Sequence, residues 1–178
     1  MKCLVVVDMQ NDFITGALGT PEAVVARDNL VQKLKEEDED TVVIFTQDTH
    51  SDRFYLDTLE GKNLPIKHCI YQTWGWLIDD EIFNLGAFKR IYDVVTKSTF
   101  GTGDLPKAIM DFAFDDEVLT IEVCGLCTDI CVISNALILR AAMPNVPIKL
   151  DSSCCAGTTP AAHEAALAVM RACQIEVY

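Results

Sequence analysis

The sequence predicts an α/β domain: a doubly wound, mostly parallel six-stranded sheet with helices on both faces. Three observations predict it. Short apolar runs rich in β-branched residues recur at 3–7, 41–46, 93–95, 118–123, 146–150 and 175–177, which is how strands read when both sheet faces are covered. Stretches of helical periodicity separate them, and strict alternation of strand and helix is the signature of a parallel sheet. Finally, 178 residues of which half are apolar fill one sizeable core but not comfortably two. The expectation is a single domain over residues 1–178.

The elements follow in order. The run at 3–7 ends at Asp8. Thr20 and Pro21 then offer an N-cap and a first-turn proline ahead of Val24, Leu30, Val31 and Leu34, so a helix is expected there. The second run is followed by Asp48 and His50. Residues 51–75 show no clear periodicity and read as a long loop, which in a compact domain is more often functional than idle. The third run leads to Lys97, after which Leu105, Ile109 and Phe112 repeat at helical spacing. The fourth turns at GLCTDICV, residues 125–132, into a helix continuing through SNALILRAA. Thr159 and Pro160 open a last helix carrying Ala166, Leu167 and Met170 before the sixth run.

Charge narrows the function classes. With 14 Lys and Arg against 27 Asp and Glu the net charge is −13, which repels polyphosphate and anionic membrane surfaces and argues against nucleic-acid or membrane partners. The opening MKCLVVVDMQNDF has an apolar run too short for a signal peptide or a membrane span, so a cytoplasmic location is expected. Eight cysteines in a long, core-rich chain read as reduced thiols and not as a disulfide scaffold. A homo-oligomer is left open.

In a doubly wound sheet ligands bind beyond the carboxyl ends of the strands, and that is where the chemistry-bearing residues stand. A cysteine in the first turn of a helix faces unpaired N–H groups and the positive end of the macrodipole, which favour its thiolate. Cys131 fits this description, and the same N–H groups could hold an oxyanion. Cys124, Cys127 and Cys131 also form C-x2-C-x3-C, part of a metal or cluster pattern, but a second ligand pair at matching spacing is missing. Cys124 and Cys127 as a redox pair lack the usual surroundings. Asp8 has an ordinary explanation as a turn partner for the loop after it, and Lys97 as a solvated loop lysine. Taken together they change meaning, since a carboxylate beside a thiol accepts its proton and an ammonium lowers the thiol pKa.

These residues resemble a known family. VVVDMQNDF with Asp8, VVTKSTF with Lys97 followed by GTGDL, and GLCTDICV with Cys131 are similar, in the same order, to the motifs of the isochorismatase-like cysteine hydrolases. TQDTH and a late LDS with a helix carrying HEAAL extend the likeness over essentially the whole chain. The resemblance implies a Rossmann-like three-layer fold and a triad of Asp8 as base, Lys97 as positioning cation and Cys131 as nucleophile. It also implies a non-proline cis peptide between Leu126 and Cys127, with the N–H groups of Cys127 and Cys131 as oxyanion hole. Cysteine at 127 departs from the alanine associated with this position.

Asp48 and His50 stand two apart at a strand end, so in extended backbone they point the same way, and His68 closes the long loop. Asp, His and His make a reasonable ligand set for zinc, manganese or iron. The pattern is similar to the nicotinamidase branch, which implies one divalent metal ion, zinc first, held by Asp48, His50 and His68, with Glu60 the nearest extra carboxylate. Phe13, Leu18, Trp74 and Phe100 are placed to line a slot for a flat heteroaromatic ring. The loop reads Leu64-Pro65-Ile66 where the branch has an aromatic-proline pair. The implied activity is hydrolysis of nicotinamide to nicotinate and ammonia through a Cys131 thioester, within pyridine nucleotide salvage. The alternatives are a metal-independent hydrolase of another small amide, a carbamoyl compound or isochorismate, and a non-catalytic binding domain.

Overall fold

The computed structural model of the chain describes residues 1–89, 91–112 and 119–178. Among these, six strands form one sheet in the order β3-β2-β1-β4-β5-β6, every neighbouring pair parallel. The strands are β1 (Lys2–Val7), β2 (Val42–Asp48), β3 (Ile91–Lys97), β4 (Thr120–Leu126), β5 (Ile148–Ala156) and β6 (Glu176–Val177). β1 and β2 are buried along almost their whole length, as their unbroken apolar runs require. Of the fourth run, Val118 lies outside the described residues.

Seven helices cover the sheet among the described residues: α1 (Asn11–Ile14), α2 (Pro21–Glu36), α3 (Leu59–Asn63), α4 (Asp80–Ala87), α5 (Asp104–Phe112), α6 (Ile133–Ala142) and α7 (Pro160–Ala172). α2 packs on α1, α4 and the sheet, while α5, α6 and α7 pack together on the opposite face. Chain direction explains the division. The strands are added outward from β1 through β2 to β3, then from β4 through β5 to β6, and right-handed crossovers place the two sets of helices on opposite faces.

The caps form where the sequence places them. Thr20 Oγ1 accepts the Ala23 N–H at 3.1 Å, and Thr159 Oγ1 the Ala162 N–H at 3.1 Å, each with proline in the first turn. Along α2 the buried stripe is Ala23, Ala26, Leu30, Val31 and Leu34, with Val24 turned out. The long loop is more ordered than its lack of periodicity suggests, holding a 3-10 turn at Tyr55–Asp57 and the short α3. α4 carries its own start signal, because Asp79 accepts the N–H groups of Glu81 and Ile82. No helix among the described residues is long and apolar enough to cross a membrane, and all eight cysteines are free.

β1 and β4 are adjacent in the sheet but distant in sequence, so their crossovers leave in opposite directions. The crevice this opens beyond their carboxyl ends is where the polar side chains gather.

Candidate active site

Asp8 is the first residue past β1 and turns the chain out of the sheet with φ 45°. Its side chain is fully buried. Oδ1 accepts the Thr46 hydroxyl at 2.6 Å, while Oδ2 faces Lys97 Nζ at 2.5 Å. Lys97, the last residue of β3, reaches over the end of β2 to do this and is itself only 6% exposed. Its ammonium also lies 3.7 Å from Cys131 Sγ and 3.6 Å from Asp48 Oδ1. Residues from the end of β1, from β2 and β3, and from the turn after β4 thus meet around one nitrogen.

Cys131 stands in a turn that leads straight into a helix, past the cis bond that the family resemblance implies. The chain leaves β4 through a cis Leu126–Cys127 bond and makes one π-turn, Thr128–Val132, before α6 begins. The turn is closed by the Ile130 and Val132 N–H groups, both donating to the Cys127 carbonyl. Asn135 then fixes the Cys131 carbonyl through Nδ2 at 2.9 Å and accepts the Thr102 N–H on Oδ1 at 3.1 Å.

Burial sets the protonation states. Cys131 is pushed well above the ordinary thiol value by burial first and by the Asp8 charge second, with Lys97 pulling back. Burial thus works against the thiolate that a place in the first turn of a helix favours. Asp8 is held above the usual carboxylate range, by burial against the opposing pull of Lys97. Lys97 stays protonated, because Asp8, Cys131 and Asp48 more than offset the cost of its burial. Cys127 is pushed up to about 12 by burial and by Asp129 and Asp8. A basic carboxylate, a thiol and a fixed ammonium within reach of each other can transfer a proton and generate a nucleophile.

Next to this trio stands a second cluster. Asp48, His50, Glu60 and His68 offer ligand atoms that all lie within 4.8 Å of one another. His50 Nε2 is 2.8 Å from Asp48 Oδ2 and 3.6 Å from Glu60 Oε1; His68 Nε2 is 3.6 Å and 3.4 Å from the same two oxygens. Tetrahedral ligands at zinc bond lengths sit about 3.4 Å apart, so most of the spacings suit one shared ion. Two further observations fit a metal. The buried His50 Nε2 has no hydrogen-bond partner despite its closeness to Asp48, and His68 Nδ1 engages the Ile66 carbonyl at 2.9 Å, which turns Nε2 to the centre.

Cys131 and all four residues of the second cluster line one cavity of about 1020 Å³. Phe13, Leu18 and Phe100 line it, as do Cys127 and Ile130. Trp74 does not. It is 60% exposed, and its carbonyl accepts from Asn11 Nδ2 and the Leu77 N–H. Trp76 is the tryptophan that turns inward, donating Nε1–H to Thr49 Oγ1 at 2.8 Å and packing edge-on to Tyr71.

Sequence reasoning missed Tyr55, which is 1% exposed and sets its ring edge-on to both His50 and His68, its hydroxyl donating to the Leu64 carbonyl at 2.8 Å. It also missed Thr46 and Gln10. Their roles lie in hydrogen bonds across 38 residues of sequence, which spacing does not reveal. His163 accepts or donates at Nδ1 to Thr128 Oγ1, and Asp129 holds the Thr158 N–H and hydroxyl, as structural residues would.

The Isochorismatase domain model matches residues 2–178. No curated protein matches the chain. Among solved structures, nicotinamidase PncA from Bacillus subtilis is 24% identical with a TM-score of 0.81, covering 99% of this chain and 98% of its own. The pyrazinamidase of Pyrococcus horikoshii, solved in complex with zinc, is 23% identical at 0.71 and covers 99% and 98%. N-carbamoylsarcosine amidase from Thermoplasma acidophilum is 25% identical at 0.72, covering 99% and 94%. A family model spanning the chain from the second residue to the last, on the sheet and crevice described above, establishes that this protein belongs to the isochorismatase family of hydrolases.

Proposed function

We propose that the protein is a nicotinamidase, hydrolysing nicotinamide to nicotinate and ammonia with Cys131 as nucleophile. The observation that carries the reading is the position of the Lys97 ammonium, within 3.7 Å of Asp8, Asp48 and Cys131 together. What also supports the reading is that the candidate metal cage of Asp48, His50, Glu60 and His68 and the candidate nucleophile Cys131 all line the same cavity. A flat ring bearing a basic nitrogen and a carboxamide can engage both at once.

Asp48, His50, His68 and Glu60 would hold a divalent ion, zinc by donor set with manganese and iron also served, and the chemistry it supplies there is Lewis-acid binding of the ring nitrogen. The remaining steps belong to the chain. Asp8, more basic than an exposed carboxylate, takes the Cys131 proton. The thiolate attacks the amide carbon, and the N–H groups of Cys127 and Cys131 receive the oxyanion. Lys97 holds the Asp8 and Cys131 charges in place throughout. Asp8 returns the proton to the departing ammonia, and water deprotonated by Asp8 then cleaves the thioester to the acid. Phe13, Leu18 and Phe100 shield the ring from water.

Ammonia release from nicotinamide, pyrazinamide and a few aliphatic amides, with and without chelator, tests the reading. Release from nicotinamide that is lost with EDTA and restored by zinc, manganese or iron supports it. Chelator-insensitive hydrolysis of an aliphatic or carbamoyl amide instead would assign the site to another amide.

A further inference from the structure

Asp8 leaves the sheet one residue after β1 ends, and this exposes a problem. The pairing of β1 with β2 stops at Val7 and Thr46, so on that side the last residue of β2, Asp48, loses its strand neighbour while still buried. A buried N–H and C=O must find partners. The side chain of Gln10 supplies both. Its Oε1 accepts the Asp48 N–H at 2.7 Å, and its Nε2 donates to the Asp48 carbonyl at 2.8 Å and the Trp76 carbonyl at 2.7 Å. Gln10 is fully buried, and its primary amide stands in for a strand at the point where a cage residue is presented.

Two residues on, Asp12 does the same for the other side of the cage. Its Oδ2 accepts the N–H of Cys69, the residue directly after His68, at 2.8 Å. The Cys69 carbonyl in turn accepts the His50 N–H at 2.9 Å. One carboxylate therefore holds Cys69, the residue that follows His68 and whose carbonyl accepts the His50 N–H. Gly75 makes room for it, since a Cβ there would fall 2.1 Å from Asp12 Oδ2. The next residue, Phe13, lays its ring 5.5 Å from that of His68.

We propose that Gln10 and Asp12 are positioning residues that set the affinity of the Asp48, His50, Glu60, His68 cage for its divalent ion, so that one short segment, residues 8–13, carries both the base and the outer support of the metal site. The proposal rests on the reading that this cage binds a metal. Partners of this kind orient ligating side chains, and their loss typically costs 10–100-fold in metal affinity.

The chemistry of the bracket is specific. Glutamate at position 10 cannot donate to the two carbonyls, and asparagine at 12 presents an amide that accepts through only one of its two atoms. Both changes preserve volume.

The experiment is competition for zinc between a chromophoric chelator and the full-length protein, on wild type, Gln10→Glu, Asp12→Asn and Asn11→Ala, with thermal unfolding of each in EDTA as the fold control. Affinity should fall 10–100-fold in Gln10→Glu and Asp12→Asn. Asn11→Ala, whose exposed amide reaches only the Trp74 carbonyl, should stay within twofold of wild type. Bound cobalt should show an altered visible spectrum in the first two variants. Should Gln10→Glu fail to fold, Asp12→Asn on the half-buried side of the bracket decides alone. Wild-type affinity in folded Gln10→Glu or Asp12→Asn would overturn the proposal. Absence of zinc binding by wild type would instead remove the cage reading on which it rests.

Discussion

Lys97 Nζ lies 2.5 Å from Asp8 Oδ2, both side chains almost wholly out of water. A pair so buried stabilises little against an apolar alternative, but removing one partner strands the other. Lys97→Met should cost about 3–5 kcal/mol of stability by that argument, less whatever Asp8 recovers by taking a proton. Turnover should be nearly abolished. Urea unfolding together with ammonia release measures both, and wild-type turnover in a folded variant would remove Lys97 from the site.

Thr46 bears on the proposed base, Asp8. Its hydroxyl donates to Asp8 Oδ1 at 2.6 Å and draws the Asp8 pKa down against the larger effect of burial. Thr46→Val keeps the shape and removes the donor, at a cost of about 1–3 kcal/mol for the unmet oxygen. The sign follows. A carboxyl with a higher pKa is protonated at higher pH, so the acid limb of the kcat/KM profile should move to higher pH in Thr46→Val. An unmoved limb would mean that Asp8 is not the base it reports.

Metal binding should appear as stability. Zinc at a hundred times its Kd should add about 2.7 kcal/mol to the folded state if the unfolded chain does not bind. Asp48→Asn, altering a donor that lies within 3.6 Å of both histidines, should abolish most of that gain and weaken substrate capture as well. Thermal unfolding with and without zinc, on both proteins, checks it.

A separate ionic cluster contributes to acid stability. Glu122, buried in β4, lies 2.7 Å from Lys2 and 2.5 Å from Lys33 and accepts from the Tyr178 hydroxyl. Burial pushes its pKa up, but these partners outweigh it and leave the carboxyl below its ordinary 4.5. The stabilisation is then complete above about pH 4.5 and lost as pH falls through the folded value. Glu122→Gln should be less stable than wild type by about 1–3 kcal/mol at neutral pH, with a shallower decline below pH 4.5. Parallel acid titrations of the two proteins would contradict this.

The sheet was legible because its strands are unbroken apolar runs, and the gathering of Asp8, Lys97 and Cys131 because Asp8 and Lys97 stand at strand ends, Cys131 in the turn after a strand, and the family resemblance ties the three together. Asp48, His50 and His68 followed from the same logic together with family resemblance. What escaped was held by contacts without a sequence period. Gln10 and Asp12 act through backbone groups 38 and 57 residues away. Tyr55 sits in a stretch whose 3-10 turn and five-residue helix are too short to show a pattern. Trp74 and Trp76 differ by two positions in an irregular loop, and nothing in the sequence says which one turns inward. The thiolate favoured for Cys131 reflected its place in the first turn of a helix, whereas depth of burial, a property of the whole fold, pushes its pKa the other way.

The central claim is that Cys131 attacks the amide carbon, and it is tested most directly by trapping the acyl-enzyme. Wild-type protein mixed with nicotinamide, quenched in acid within one turnover and digested, should yield a Cys131 peptide heavier by one nicotinoyl group in place of the thiol hydrogen. The adduct should be absent from Cys131→Ala, which should release no ammonia. Ammonia release by folded Cys131→Ala, or an acyl group found on any other residue, would contradict the account.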